Sequence, residues 1–125
     1  MKEIIRPNVE GTKNVLEVAV EQGVKRIVYV SSIAALGHSV IPMDETTWNS
    51  DSSFPYTQSK IESEKLAWNL AEKLDLWLVA VLPSSMVGLN CFGHLTPTMN
   101  LLNMIVKGQL PIDVNFHFNM LMLEM

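Results

Sequence analysis

The apolar run IVYV at residues 27–30 constrains the fold of this chain more than any other feature. β-Branched and aromatic residues favour a strand, and a strand that is apolar on both faces is typical of a parallel sheet between helices. A similar run, LVAVL at residues 78–82, ends at Pro83. Strands alternate with helical patterns along the chain, which predicts an α/β fold whose parallel sheet is covered on both faces.

Helical periodicity occupies the stretches before and between these two runs. Apolar residues recur at helical spacing over residues 8–22, with Asn8 as a candidate N-cap and Gly23 as a stop signal. A second helix is predicted over residues 56–74, with small and apolar side chains facing the core and charged side chains in solvent. The inward stripe comprises Ser63, Ala67, Leu70, Ala71 and Leu74, and the solvated face comprises Glu62, Glu64, Lys65 and Glu72.

The other stretches predict one long loop, a third helix and a further strand. Residues 37–55 contain one glycine, two prolines, one asparagine and four serines, which predicts a loop, and a loop of this length is usually functional or disordered. Thr96 followed by Pro97 is typical of a helix start, and Gly108 ends that helix. Apolar and polar residues alternate over residues 114–119, which indicates a final strand.

The size and charge of the chain exclude several classes of function. Its 125 residues suffice for one domain, and a hydrophobic fraction of 48% can bury a core. The formal charge of −4 argues against nucleic acid as a partner, because phosphate binding needs a basic face. The longest apolar run, residues 76–82, is far shorter than the ~20 residues of a membrane helix, and the start carries no secretory signal. A single cysteine excludes an internal disulfide, so we expect a cytoplasmic location.

Metal binding is not expected from the histidines and the cysteine. His38, His94 and His117 lie far apart in the sequence, and no two of them have the spacing of zinc ligands. Cys91 has no basic neighbour in the sequence that would activate a thiolate. We therefore interpret it as a small buried residue rather than a nucleophile.

Tyr56 and Lys60 form the first candidate for chemistry. They lie four residues apart on the second predicted helix, so their side chains share one face. A cation close to a phenol favours the phenolate, and such a tyrosine can exchange a proton with a substrate oxygen near neutral pH. The same spacing also describes an ordinary surface pair.

Serines at the ends of the two predicted strands form the second candidate. Ser31 and Ser32 follow the first strand, and Pro83, Ser84 and Ser85 follow the second. Parallel sheets bind ligands beyond the carboxyl ends of their strands, so a hydroxyl there could hold the oxygen that Tyr56 protonates. Serine also favours simple turns, which is the alternative interpretation. Three features converge on one edge of the predicted sheet.

These residues belong to a longer set of motifs that resembles a known family. The set consists of NVEGTKNVLE at 8–17, VKRIVYVSS at 24–32, DE at 44–45, YTQSK at 56–60 with EK at 64–65, and LPSS at 82–85 followed by Gly88. In this order the motifs resemble the extended short-chain dehydrogenase/reductases of the epimerase/dehydratase type. Within that family they are similar to the dihydroflavonol reductase-like and 3β-hydroxysteroid dehydrogenase-like members.

The resemblance implies a partial Rossmann-type, doubly wound parallel sheet and a hydride transfer. The expected reaction moves a hydride between NADP or NAD and the carbonyl or secondary alcohol of a small organic molecule. By resemblance Ser32 hydrogen-bonds the substrate oxygen, Tyr56 is the acid/base, and Lys60 binds the nicotinamide ribose and tunes Tyr56. Ser31 and the residues after the second strand would contact the cofactor together with Tyr56 and Lys60. Those later residues are Pro83, Ser84, Ser85 and Met86.

The chain departs from the family at its start, where relatives carry a strand and a glycine-rich turn that binds the pyrophosphate. No G-x-G-x-x-G occurs here. We therefore expect residues 1–125 to be a single incomplete NAD(P)-binding domain, a fragment that is inactive alone but belongs to an active enzyme. A homodimer is the expected assembly of that enzyme. The alternatives are a nucleotide-sugar epimerase or dehydratase of the same family and a non-catalytic truncated remnant.

Overall fold

The computed structural model describes residues 2–39, 41–88, 93, 95–110 and 120–123. The chain divides into two compact units, Met1–Leu82 and Pro83–Met125. The first unit contains helices α1 (Lys2–Glu21), α2 (Ile33–Leu36) and α3 (Pro55–Lys73) and strands β1 (Arg26–Val30) and β2 (Trp77–Val81). The second unit contains β3 (Ser85–Gly88), α4 (Pro97–Val106) and β4 (Met120–Leu123).

Strands β1 and β2 lie side by side and run parallel. Arg26 is opposite Trp77 at one end of the pair, and Val30 is opposite Val81 at the other. The Ser31 N–H donates to the Val81 carbonyl at 2.8 Å, which continues the pairing beyond the strand. Because α2 and α3 lie between the two strands in sequence, the pair is a parallel crossover unit, and the predicted α/β class is confirmed.

The core of the first unit lies between this pair of strands and the two long helices. α1 packs along α3, and Leu16 of α1 joins the buried residues of α3 and β2. On β1, Ile27 and Tyr29 pack against the same cluster, and the Tyr29 hydroxyl lies 3.3 Å from Thr12 Oγ1 of α1. The buried cluster consists of Leu16, Ala67, Leu70, Ala71, Leu76 and Leu78.

The opposite face of the β1–β2 pair is exposed in the described part of the chain. Val28 and Val30 of β1 and the residues Trp77, Val79 and Val81 of β2 point away from the core, and Val28 is 62% exposed. The expectation that these strands are buried on both faces is therefore wrong for this unit. The physical reason is that α1 and α3 both contribute to a single cluster on one face.

The helices confirm most of the predicted pattern. α3 lies within one residue of the predicted bounds, and its predicted inward stripe is buried, with Leu74 partly buried at its end. α1 begins six residues earlier than residue 8 and continues through Pro7. Asn8 is therefore inside the helix rather than at its cap, and its side-chain amide donates to the Ile4 carbonyl at 2.8 Å.

The second unit pairs two short strands beside a helix. β3 and β4 are parallel, with Ser85 opposite Met120. The Met99 N–H donates to Thr96 Oγ1 at 3.3 Å, so Thr96 caps α4 as predicted. The strand predicted over residues 114–119 lies outside the described residues, as do Cys91, His94 and His117. Within the part of the chain that the structure describes, no helix combines the length and apolar character needed to cross a membrane.

Candidate active site

The carboxyl end of β1 places two serines in different environments. Ser31 is buried, and its hydroxyl donates to the Glu64 carboxylate of α3. Ser32 is half-buried and extended, and its Oγ accepts from the Ala34 N–H at 3.2 Å. Ser32 thereby caps α2, a four-residue helix whose length is too short for periodicity to indicate. One serine is thus directed into the structure and the next lies at the sheet edge.

Tyr56 lies in the first turn of α3 and faces this edge. Pro55 occupies the first helical position, which suits its fixed φ and missing N–H. The Tyr56 side chain is 51% exposed, and its hydroxyl donates to Ser32 Oγ at 3.5 Å. Catalytic hydrogen bonds are often long in the absence of substrate and tighten when it binds. The structure therefore brings together the two hydroxyls that the sequence pairs.

Lys60 follows one turn later on the same side of α3. Its Nζ lies 5.8 Å from the centroid of the Tyr56 ring, within the range of a cation–π contact. The other tyrosine, Tyr29, instead directs its hydroxyl toward Thr12 on the covered face of the sheet. Tyr56 is consequently the tyrosine with both a lysine and an edge serine beside it.

Glu64 was predicted to lie on the solvated face of the second helix and was not among the candidate site residues, but the structure shows that it is buried. It is only 5% exposed, whereas Glu62, Lys65 and Glu72 are exposed as predicted. Its carboxylate accepts from Ser31 Oγ, and Trp68 Nε1 donates to Glu64 Oε1 at 3.4 Å. The sequence contained a signal: Glu64 lies eight residues after Tyr56 and four after Lys60, so it belongs to the same row on the helix surface.

The long loop before α3 lines one side of an open cavity of about 280 Å³ beside Glu64. Trp48 and Asp44 of the loop line it together with Glu64 and Trp68 of α3. Lys65 Nζ lies 5.0 Å from the Trp48 ring centroid and holds this side of the loop against α3. Hydrogen bonds from the Thr46 hydroxyl and N–H, followed by that from Thr47, lower the pKa of the Asp44 carboxyl below its usual value.

The second half of the loop is fixed to α2 by an asparagine. Asn49 donates from its backbone N–H to the Ala35 carbonyl at 2.8 Å and from its side chain to the Ala34 carbonyl at 2.9 Å. Gly37 has a φ of 87°, and a Cβ there would lie 2.9 Å from the Asn49 side chain. Both its conformation and this close approach require glycine. In the described residues of the predicted long loop, Asn49 thus connects the loop to α2.

The predicted cofactor contacts after β2 belong to the second unit. Pro83 and Ser84 are half-buried, and Ser85 and Met86 begin β3. Met86 is exposed, whereas Ser85 is half-buried. β3 itself was not predicted, because a strand of only four residues that begins at Ser85 shows little alternation. A cofactor contact by these four residues remains a prediction.

Comparison with known proteins adds independent observations. Residues 1–114 match the model of the NAD dependent epimerase/dehydratase family. The curated relative tetraketide alpha-pyrone reductase 1 of Arabidopsis thaliana is 34% identical over 119 residues, which cover 86% of this chain and 36% of the relative. The chain therefore spans about a third of the length of this relative.

Two solved structures have a similar fold. The crystal structure of gox2253 overlaps 88% of this chain and 34% of its own, with a TM-score of 0.77 and 36% identity. MoeE5 in complex with UDP-glucose and NAD overlaps 84% of this chain and 35% of its own, with a TM-score of 0.62 and 27% identity. These overlaps confirm a partial Rossmann-type fold. Together with the family match, they show that this chain belongs to the NAD dependent epimerase/dehydratase family.

Proposed function

We propose that the chain is part of an NAD(P)-dependent oxidoreductase that acts on a carbonyl or secondary alcohol of a small organic molecule. The observation that carries this proposal is the grouping of three side chains at the carboxyl end of β1. The Tyr56 hydroxyl is 3.5 Å from Ser32 Oγ, and Lys60 Nζ is 5.8 Å from the Tyr56 ring. A phenol, a hydroxyl and an ammonium suit proton exchange with a substrate oxygen.

The donors at this edge fit the nicotinamide-ribose end of the family's cofactor. Lys60 offers an ammonium with three donors, and Tyr56 is half-exposed beside it, so both could reach ribose hydroxyls. When bound, the cofactor supplies the hydride, while the protein supplies orientation and the proton. NAD and NADP are identical at the nicotinamide-ribose end, so these residues do not select between the two cofactors.

Each of the three side chains has a separate role in this proposal. Ser32 Oγ holds the substrate oxygen, because it lies at the edge and is already oriented by capping α2. Tyr56 donates the proton to that oxygen in reduction and accepts it in oxidation. Lys60 stabilises the negative charge that develops on the Tyr56 oxygen, because an ammonium favours the phenolate over the phenol.

The similarity to a reductase supports a small carbonyl compound as the substrate class. Tetraketide alpha-pyrone reductase 1 is 34% identical to this chain, above the 27% of the UDP-glucose-binding MoeE5. The MoeE5 overlap nevertheless favours a second candidate, an epimerase or dehydratase acting on a nucleotide sugar. Both reactions would use Tyr56 for a proton and would differ in the molecule that is oxidised or reduced.

The test measures turnover of the complete gene product that carries these residues. Oxidation of NADH and NADPH is followed with a panel of small ketones and aldehydes. In a separate assay, conversion of UDP-glucose in the presence of NAD⁺ is followed by chromatography of the sugar nucleotide, because epimerases and dehydratases consume no net NADH. Tyr56→Phe should lower kcat by about 10²-fold or more, the usual scale for losing an acid/base. Tyr29→Phe is the matched control, because its hydroxyl contacts Thr12 on the covered face, and it should leave kcat nearly unchanged.

Each result of this experiment decides between the candidates. Turnover of ketones alone supports the reductase, and turnover of UDP-glucose alone supports the second candidate. A protein that folds but neither binds a cofactor nor turns over either class would be the non-catalytic remnant. Equal kcat values for wild type and Tyr56→Phe would remove Tyr56 from the mechanism. The cytoplasmic location and the homodimer stay predictions.

A further inference from the structure

We propose that Glu64 is a positioning residue that ties the end of β1 to α3 and thereby sets the distance between Ser32 and Tyr56. The inference rests on the proposed function, because it assigns a purpose to that distance. It concerns a residue that touches neither Tyr56 nor Ser32 directly, and its effect would be transmitted through Ser31 and the helix.

The first supporting observation is the place of Glu64 on α3. Tyr56, Lys60 and Glu64 follow one another at intervals of four residues, so they form one row along the helix. Glu64 lies about 12 Å along the helix axis from Tyr56, given a rise of about 1.5 Å per residue. Tyr56 is half-exposed at the edge, whereas Glu64 is buried beneath the end of β1.

The second observation is what the carboxylate binds. One oxygen accepts the hydroxyl of Ser31, which is also buried, and the other accepts the indole N–H of Trp68 at 3.4 Å. Ser31 is simultaneously held by its N–H, which donates to Val81 at 2.8 Å. Ser31 is thus fixed through its backbone to β2 and through its side chain to α3. Because Ser32 is the next residue, these two attachments of Ser31 also restrict the position of Ser32.

The third observation is energetic. A carboxylate that is 95% buried is costly to remove from water, and apolar side chains of similar volume often replace such groups without loss of stability. Within the described residues, the groups that bond to Glu64 are two neutral donors. A buried carboxylate held in this way contributes little net stability. It does fix the end of β1, which precedes Ser32, relative to α3, which carries Tyr56.

The proposal is tested with two substitutions at Glu64, one at Ser31 and one control. Glu64→Leu removes both acceptors while retaining much of the volume. Glu64→Gln retains the tether, because the Ser31 hydroxyl can turn round and accept from the amide while Trp68 donates to the amide oxygen. Glu62→Gln is the matched control on the same helix, where the side chain is exposed and accepts from Gln58.

The expected kcat values distinguish a positioning role of Glu64 from a role in stability alone. Glu64→Leu should lower kcat about tenfold or more with little change in the KM for the cofactor, because small misplacements of reacting groups are costly. Glu64→Gln should stay within about threefold of wild type, and Glu62→Gln should equal wild type. The double variant Ser31→Ala/Glu64→Leu should regain Tm but keep the low kcat. The unpaired Ser31 hydroxyl is then gone, and the indole N–H of Trp68, whose side chain is 41% exposed, can bond to water.

A second measurement reports the geometry without requiring turnover. In nuclear Overhauser spectra, contacts between the Tyr56 ring and the Ser32 β-protons should be present in wild type and Glu64→Gln and lost in Glu64→Leu. If kcat recovers together with Tm in the double variant, or if the contact persists in Glu64→Leu, the positioning role is overturned. An inactive wild type that retains the contact pattern would instead count against the proposed function alone.

Discussion

Helix α3 carries two rows of side chains with the same four-residue spacing, one of mixed exposure and one buried throughout. The polar row, formed by Tyr56, Lys60, Glu64 and Trp68, varies from buried at Glu64 to half-exposed at Tyr56. The small-residue row, formed by Ser59, Ser63, Ala67 and Ala71, is buried along its whole length. One helix therefore presents chemistry on one row and packing on the other, and a change in either row should affect a different property.

The small-residue row is buried because its members let another helix approach. Leu16 of α1 joins Ala67 and Ala71 in the core, and α1 packs along α3. The two serines of the row satisfy their hydroxyls within α3: Ser59 donates to the Tyr56 carbonyl at 2.7 Å and Ser63 to the Ser59 carbonyl at 2.6 Å. A buried serine that bonds to its own helix leaves no polar atom unpaired, so it packs like a small apolar residue.

Overfilling the small-residue row should produce the largest change in stability. Ala67 is fully buried, so Ala67→Leu places three more carbons where α3 meets the core. Insertions of this kind usually cost about 1–3 kcal/mol of unfolding free energy, and we expect a value near the upper end. Urea denaturation of the chain followed by circular dichroism measures it. Asn69→Leu, two residues away and exposed, is the control and should change the value by less than about 0.5 kcal/mol.

One result would contradict the expected difference in stability between Ala67→Leu and Asn69→Leu. Equal losses for Ala67→Leu and Asn69→Leu would mean that leucine at either position disturbs α3 in the same way, and the row would have no special packing role. In the complete gene product, kcat per folded molecule should be unaffected by Ala67→Leu at temperatures below its Tm, because the polar row is unchanged. A large fall in kcat there would show that the two rows are not separable.

The sequence predicted the packing row better than the polar row, for a physical reason. Small and apolar residues at helical spacing indicate a buried face directly, so the stripe from Ser63 to Leu74 was predictable. A glutamate at helical spacing indicates solvent by default, and the buried donor to Glu64 is Ser31, thirty-three residues earlier. Periodicity along one helix contains no information about such a distant partner.

For the strands too, the local sequence pattern does not indicate which residues face the core. Val28 and Ile27 are equally apolar, so the sequence alone could not tell which of them faces the core. The parallel pairing of β1 and β2 was predictable because a crossover helix lies between them. The resemblance to the family implied that Ser32 and Tyr56 act on the same substrate oxygen at the sheet edge, and their hydroxyls lie 3.5 Å apart. The side chain of Asn49 donates to the Ala34 carbonyl of α2 at 2.9 Å, a contact between the loop and α2 that no local pattern indicates.

A change in the polar row should act on ligand binding with little effect on folding. Lys60→Met keeps the aliphatic stem and removes the ammonium that lies 5.8 Å from the Tyr56 ring centroid. In the complete gene product we expect cofactor affinity to fall about tenfold, which corresponds to about 1.4 kcal/mol. The unfolding free energy should change by less than about 0.5 kcal/mol, because the residue is not buried. Fluorescence titration with NADH and NADPH measures the affinity.

Lys65→Met is the matched control for this experiment. Lys65 is on the same helix and also contacts an aromatic ring, but that ring belongs to Trp48 in the loop. Cofactor affinity should therefore be the same as in wild type. If both lysine variants lose affinity equally, the effect is one of net charge. If neither loses it, the contact between Lys60 and Tyr56 is an ordinary surface pair.

The smallest effect is expected for Ser63→Ala, which tests whether the serines of the packing row act as small apolar residues. The substitution removes one hydroxyl and its bond to the Ser59 carbonyl, while that carbonyl can retain the N–H of residue 63 as its helical partner. Losing a hydrogen bond typically costs about 1 kcal/mol, but alanine is about 0.5 kcal/mol better than serine in a helix, and no unpaired group remains. We expect the unfolding free energy to change by less than about 0.5 kcal/mol and kcat to be unchanged. A loss well above 1 kcal/mol would mean that the Ser63 hydroxyl stabilises the junction between helices, and the row would then depend on hydrogen bonding as well as on size.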